Sequence, residues 1–391
     1  MKQPVILSAT RTPVGKFGGG LKDMSATKLG ALVVQEAIAR AGLKPEEVEE
    51  CIMGNVISAG LGQNPARQAA LRGGLPPEVS AVTVNKVCGS GLKSVMLAAD
   101  AISAGRGEMI VAGGMESMTN APYLLEKARF GYKLFDSQLV DAMVRDGLWD
   151  VFNDFHMGNT GEIIAERHGI TREDADRFSL WSHQKSVRAI KEGDFDEEIT
   201  PVDVPSRKGQ VTVSTDEGPR EDTSLEVLAK LKPVFRDDGI LTAGNSSSIN
   251  DGASALVVAD PDRAERMGAE PLARIVDYSS AGMKPELIME APIPAVRKLF
   301  DRNKMHIDDI DLFEHNEAFS TASIAVKAAL EVPEDKFNVN GGAVALGHPI
   351  GCSGARVLTT LIYAMRKRDA HRGIATLCLG GGNAVAMLIE R

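Results

Sequence analysis

The chain has 391 residues, 43% hydrophobic and 25% charged, which is too long for one simple core and ordinary in composition for a globular protein. Its 44 Lys and Arg against 53 Asp and Glu leave a formal charge of −9, with no basic, aromatic-interleaved run, which excludes a general nucleic-acid binder. No apolar run approaches the ~20 residues of a membrane span.

Met1-Lys2-Gln3-Pro4 leads at once into the strand-like Val5-Ile6-Leu7-Ser8-Ala9, so no signal peptide is expected. The four cysteines, Cys51, Cys88, Cys352 and Cys378, form no CxxC pair. A reducing cytoplasm with free thiols is the expected setting. Residues 5–10 then read as a strand and 25–40 as an amphipathic helix stopped at Gly42. Residues 48–53 read as a second strand and Ala81-Val82-Thr83-Val84 as a third. After the third, Leu92, Val95, Met96, Ala99 and Ile102 recur at helical spacing until Gly105.

Cys88 therefore sits at a strand-to-helix turn, between Val87 and Gly89-Ser90-Gly91. Free N–H groups and the helix dipole at such a turn favour a thiolate, and the flanking glycines let a substrate approach the backbone. Taken alone, Cys88 reads more readily as a buried, inert thiol, since free Cys is usually a core residue.

Residues 109–112 form a further buried strand leading into Gly113-Gly114, and strands alternating with helices imply a doubly wound α/β layer. The second half repeats the plan. Ala273-Arg274-Ile275-Val276 opens it, 294–303 reads as a helix, and Leu312-Phe313-Glu314 leads to His315-Asn316. Cys352-Ser353-Gly354 echoes Gly89-Ser90-Gly91 at an offset of 263 residues, and Gly380-Gly381 echoes Gly113-Gly114 at 267. A near-constant offset implies two duplicated halves.

In the second half, 374–379 and 384–389 are nearly adjacent, as in a hairpin, whereas their counterparts 109–112 and 255–258 are far apart. The domains expected are thus 1–118 with 251–270, an inserted loop domain at 119–250, and 271–391. Within the insertion, Asn159 with Glu162 and Thr171 with Asp174 read as helix starts, and 210–214 as an exposed strand.

Four separated motifs carry a resemblance. They are the Cys88 turn, His315-Asn316-Glu317-Ala318-Phe319, Gly347-His348-Pro349 and Cys378-Leu379-Gly380-Gly381-Gly382. In this order, over the whole chain from Arg11-Thr12-Pro13, they resemble the thiolase family of the acetyl-CoA C-acetyltransferase type. The resemblance implies a thiolase fold, two α/β halves forming a layered αβαβα core with an inserted loop domain. It also implies thiolysis of acetoacetyl-CoA and its reverse, the Claisen condensation of two acetyl-CoA.

By that resemblance Cys88 carries the acyl group, His348 takes its proton, and Cys378 exchanges the α-proton of the second thioester. Asn316, through a water, and His348 form one oxyanion site; the backbone N–H groups of Cys88 and Gly380 form the other. His156 and Met157 fall near the thioester, with Leu148 in the pantetheine tunnel. Arg220 falls beside the adenine and phosphates, Ser247 and Ala243 beside the pantetheine, and Met289, Ala318 and Phe319 along an apolar lining.

The same resemblance implies no metal or redox cofactor and a homodimer or homotetramer, with no nucleic-acid or membrane partner. A departure follows the glycine triplet, where Asn383-Ala384 replaces the family's usual Met or Gln followed by Gly; being next to Gly380, it bears on the acyl pocket's shape. A 3-ketoacyl-CoA thiolase acting on longer chains, a non-catalytic CoA or lipid binder, and a dithiol redox sensor are the alternatives.

Overall fold

Strands buried along their whole length and helices with one apolar face set the architecture of the computed structural model, which describes residues 3–206 and 209–391. The strands Leu312–His315, Arg372–Leu379, Asn383–Glu390, Ala273–Gly282, Val5–Arg11, Asn250–Ala259, Met109–Ser117, Glu50–Gly54 and Ser80–Val84 follow one another across a single mixed sheet. Gly15–Lys16 pairs beside this path with Asn250–Ala259. The two halves meet where Val5 and Ile6 pair with Arg274 and Ala273.

Helices cover the sheet in layers. Ala26–Arg40 and Pro65–Arg72 bury their apolar faces on the outside of the first half, and Pro292–Asn303 and Ser320–Ala329 on the outside of the second. Between them Ser90–Ser103 and Ser353–Arg368 share one apolar cluster with strands of both halves. The result is the layered αβαβα arrangement.

The two duplicated turns are packed against each other. A Cβ on Gly91 would lie 2.6 Å from the Ala355 nitrogen, and one on Gly354 would lie 2.3 Å from the Leu92 nitrogen. Only glycine permits that approach of backbone to backbone.

Met109–Ser117 runs past the glycines that seemed to end it. Gly113 and Gly114 are strand residues on which a Cβ would meet the Ser254 and Gly351 carbonyl oxygens at 2.1 and 2.0 Å. Close approach, rather than a turn, is why glycine stands there.

The segment between Ser117 and Asn250 adds no strand to the central sheet among the described residues. Its strands form two-stranded ribbons, such as Val202–Ser206 with Gly209–Val213. Thr171 caps the helix Arg172–Lys191, with Asp174 completing the capping box. Asn159 does not start a helix: Gly158–His168 begins one residue earlier, and the Glu162 carboxylate reaches across to accept from the N–H groups of Ile240 and Leu241.

Arg11 ties this segment to the core. Its Nε donates to Glu198 at 2.6 Å, and its two Nη atoms donate to Asp216 at 2.7 and 2.9 Å, with every partner buried. Removing one member of such a group leaves an uncompensated buried charge.

Candidate active site

Cys88 follows the strand Ser80–Val84 and precedes the helix Ser90–Ser103. The turn is tight: Val87 stands at φ 47°, a costly conformation for a β-branched residue. Ser90 holds it, its Oγ donating to the Val87 carbonyl at 2.6 Å and accepting from the Lys86 N–H at 2.8 Å. The Cys88 side chain packs against an apolar group that includes Val56, Ile57 and Ile350.

Cys88 is half-buried, and the desolvation by its apolar neighbours pushes the thiol up to about 12, while the N–H groups of Gly380 and of Cys88 itself pull it back and the Glu116 charge adds to the rise. The resting sulfur is therefore protonated. This corrects the expectation of a thiolate: desolvation outweighs the turn's amides and dipole.

His348 is buried, and burial first, then the Arg356 charge, lowers its pKa to about 3, so the ring is neutral at pH 7. Its Nδ1 lies 2.6 Å from Ser353 Oγ, which donates its one hydrogen to the Pro349 carbonyl at 2.9 Å. With the Ser353 hydrogen on Pro349, Ser353 accepts from a His348 Nδ1–H, the tautomer that leaves the ring's lone pair on Nε2. The backbone of His348 is fixed by its N–H donating to Asn250 Oδ1 at 2.9 Å.

Asn316 lies behind this ring, with Nδ2 3.4 Å from His348 Nε2 and Oδ1 buried without a hydrogen-bond partner among the described residues. Cys378, near the end of Arg372–Leu379, has its Sγ 3.6 Å from Met289 Sδ. Burial, and next the proximity of Cys88, raises its pKa further above the ordinary thiol range. The two sulfurs thus sense each other electrostatically, although 290 residues separate them in sequence.

These groups lie along one cavity of about 780 Å³. Cys88, His348, Cys378 and Gly380 line it, and so do Leu148, His156, Met157, Arg220, Ala243, Ser247, Met289, Ala318 and Phe319. Asn316 alone of the expected residues is not part of its wall.

Gly380 is tight, since a Cβ would meet Val87 Cγ1 at 3.1 Å. His156 stacks on Phe235 at 4.9 Å between centroids and accepts from the Gly158 N–H at its Nδ1, which places its own proton on Nε2. Arg220 is exposed, and its N–H donates to His183 Nδ1 at 3.1 Å. Ser247 is half-buried, its N–H donating to the Ala318 carbonyl at 3.0 Å.

Two family models cover nearly the whole chain: the thiolase N-terminal domain matches residues 4–262 and the thiolase C-terminal domain residues 269–391. The chain belongs to the thiolase family. Among curated relatives, an acetyl-CoA acetyltransferase of Cupriavidus necator and one of Pseudomonas aeruginosa are each 51% identical, and a probable acetyl-CoA acyltransferase of Staphylococcus aureus is 50% identical. In all three, the match covers 100% of both chains. The crystal structure of a Bacillus anthracis acetyl-CoA acetyltransferase superposes with a TM-score of 0.98 at 43% identity, covering 100% of this chain and 99% of that one.

Within this thiolase, the departure after the glycine triplet does not reach the cavity. Asn383 opens the strand Asn383–Glu390, where its Nδ2 donates to the Gly381 carbonyl at 3.1 Å. It is a residue of the hairpin turn and not one that lines the cavity.

Three residues that hold the site escaped sequence reasoning: Ser353, Asn250 and Glu116. Ser353 had a signal, as a helix-start serine five residues after His348. Asn250 and Glu116 act from distant strands, and nothing local marks them. Among the described residues, no helix is long and apolar enough to cross a membrane, and no group of three or more His, Cys, Asp or Glu is placed to hold a metal ion.

Proposed function

We propose that this thiolase is an acetyl-CoA C-acetyltransferase, interconverting acetoacetyl-CoA plus CoA with two acetyl-CoA. The observation that carries this reading is that Cys88, His348, Cys378 and Gly380 share one cavity in a chain half identical to acetyl-CoA acetyltransferases over its full length.

In thiolysis the Cys88 sulfur attacks the 3-keto carbonyl as His348 Nε2 takes its proton. The C2–C3 bond breaks, the enolate of acetyl-CoA leaves, and Cys378 gives that carbon a proton. The CoA thiol then gives its proton to the Cys378 thiolate and attacks the acetyl-cysteine; the Cys88 sulfur leaves, takes back the proton held on His348, and acetyl-CoA is released. Condensation runs the same bonds in reverse, with Cys378 removing the α-proton. A neutral thiol beside a neutral imidazole suits this, because the sulfur is activated only when a carbonyl is in place.

The N–H groups of Cys88 and Gly380, which already bear on the sulfur, are the donors for the tetrahedral oxygen. Asn316 Oδ1 fits a bridging water that, with His348, would hold the enolate oxygen. For CoA, Arg220 supplies a guanidinium at the cavity mouth for the adenine and phosphates. Ala243 and Ser247 flank the pantetheine, Leu148, Met289, Ala318 and Phe319 line its path, and His156 and Met157 sit at the thioester end. No metal or redox cofactor enters the reading.

A homodimer or homotetramer in the cytoplasm completes it. The strand Ser80–Val84 ends the sheet with Val82 41% exposed, and Phe130, Leu134 and Phe135 present apolar side chains at 77–89% exposure. Unpaired edges and apolar patches of this kind are usually covered.

Thiolysis across 3-ketoacyl-CoA chain lengths tests the assignment. The expected result is kcat/KM highest for acetoacetyl-CoA. Each added methylene gains about 0.8 kcal/mol where apolar room exists. Activity rising to long chains would therefore transfer the assignment to a 3-ketoacyl-CoA thiolase. No cleavage of any chain length would leave a CoA binder.

A further inference from the structure

Glu116 is a fully buried carboxyl group on the strand Met109–Ser117. Burial pushes its pKa up to about 7 against the pull of the Val56, Ile57 and Gly351 N–H groups, so it is mostly ionised at pH 8. Its Oε1 accepts from Asn55 Nδ2 at 2.8 Å and the Ile57 N–H at 3.2 Å; its Oε2 accepts from the Val56 N–H at 3.0 Å and the Gly351 N–H at 2.9 Å. All four donors are neutral amides, and they come from two chain segments far apart in sequence.

One segment, Asn55-Val56-Ile57, leaves the end of the strand Glu50–Gly54. The other, Gly351, ends the loop that begins at His348. Val56, Ile57 and Ile350 belong to the apolar cluster on which Cys88 and Leu148 pack. A single carboxylate thus joins the wall beside the nucleophile to the loop that carries the histidine. The fit is close: a Cβ on Gly351 would lie 2.7 Å from Glu116 Oε2. A buried carboxylate accepting several N–H bonds fixes its donors far more firmly than a neutral group of the same shape.

We propose that Glu116 is a positioning residue for acyl transfer, its carboxylate clamping the His348 loop against the Val56–Ile57 wall so that imidazole and thiol meet the same carbonyl. The role rests on the acetyl-transfer reading above. Glutamine at this position keeps the shape but turns one oxygen into an NH2 facing two N–H donors, whichever way the amide is placed. One side of the clamp must therefore let go.

The charge has a second effect, because Glu116 helps hold the Cys88 thiol up. The ionisable groups that bear on Glu116 or feel it are Asp251, from the neighbouring strand, Cys88 and Cys352. The glutamine change removes one anion from that set, so the Cys88 thiol should ionise at lower pH.

The test compares wild type with Glu116→Gln in steady-state thiolysis of acetoacetyl-CoA, in acetylation by acetyl-CoA read by intact mass, and in alkylation by iodoacetamide at pH 8. Misplacing a base by about 1 Å costs on the order of 100-fold, so kcat should fall about 10- to 100-fold, with KM for CoA changed less than about threefold. Alkylation of Cys88 should become several-fold faster, opposite to the fall in turnover. A residue that merely supports the fold would move neither kcat per folded molecule nor the alkylation rate, and that result overturns the role.

If Glu116→Gln does not fold, Asn55→Ala removes one of the four donors and keeps the charge. Its kcat should fall several-fold with the alkylation rate unmoved, and wild-type kcat would overturn the proposal. Acetyl-enzyme absent from the wild type would instead overturn the acetyl-transfer reading, and with it this role. Acetyl-enzyme present, with unaltered turnover in Glu116→Gln, overturns the role alone.

Discussion

Ser353 Oγ stands 2.6 Å from His348 Nδ1 and spends its one hydrogen on the Pro349 carbonyl. A helix-start serine thereby supplies the hydrogen-bond partner of one ring nitrogen and leaves the other to the cavity side. That partner costs the site no charge, unlike the carboxylate that usually orients an imidazole.

Replacing Ser353 with Ala should free the ring to change tautomer and tilt. Loss of alignment of this order lowers kcat by about 10- to 100-fold. KM for CoA should stay near its wild-type value, because the CoA contacts lie elsewhere. Steady-state thiolysis reads both, and an unaltered kcat would mean that the ring keeps its place without Ser353.

The two cysteines should separate by function. Cys88→Ala should give no acetyl-enzyme and no turnover. Cys378→Ala should still accept an acetyl group on Cys88, seen as a mass increase after incubation with acetyl-CoA. Its condensation should fall by ~10²–10⁴, as on deletion of a general acid/base. Acylation should slow there without stopping, since the leaving CoA also needs a proton. An acetyl group found on Cys378 in the Cys88→Ala protein would reverse the assignment.

Cys88 should respond to pH as a thiol pushed up to about 12. Far below its pKa, the thiolate fraction rises about tenfold per pH unit, so alkylation by iodoacetamide should climb steadily between about pH 7 and 9.5. The sign follows from burial, which favours the protonated form. A plateau near pH 8.5, or a rate independent of pH, would point instead to a thiolate–imidazolium pair.

Arg220→Ala should raise KM for CoA substrates and leave kcat nearly intact. A contact to the remote end of CoA is made equally in ground and transition states, and its loss appears as uniform weakening. KM unchanged in both reaction directions would remove Arg220 from the binding site.

Gly91→Ala should destabilise the protein by about 1–3 kcal/mol, the usual cost of overpacking. The added Cβ would sit 2.6 Å from the Ala355 nitrogen and 3.0 Å from the Cys352 carbonyl oxygen, where no flexible side-chain tip can yield. Denaturant unfolding measures the loss. Wild-type stability would show that the two central helices can part without cost.

Most of the fold is legible in the sequence because it rests on local pattern. Ser25 precedes Ala26–Arg40 as expected, Thr171 and Asp174 form their capping box, and the hairpin of Arg372–Leu379 with Asn383–Glu390 follows from two apolar runs around glycines. Cys88, Asn316, His348, Cys378 and Gly380 are legible because each sits in a short motif of unusual composition; the residues expected along the CoA path are legible only through the family resemblance those motifs carry.

What is not legible depends on partners distant in sequence. Glu162 looks like half of a capping box, yet it bonds to Ile240 and Leu241. Gly113 and Gly114 look like a strand end, yet neighbouring backbones require them to be bare. The state of the Cys88 thiol depends on how deeply its apolar neighbours bury it, which no turn motif reveals.

The interlocked glycines Gly91 and Gly354 have a consequence for the chain as it is being made. Cys88 belongs to the first half, whereas His348, Cys378 and the Gly380 amide are supplied by the second. Until the last hundred residues dock, the nucleophile has neither its base nor one of its two amide donors. The first half alone therefore lacks the histidine, the second cysteine and the Gly380 amide that line the cavity with Cys88. Duplication has made the cavity a seam, walled by residues of both halves.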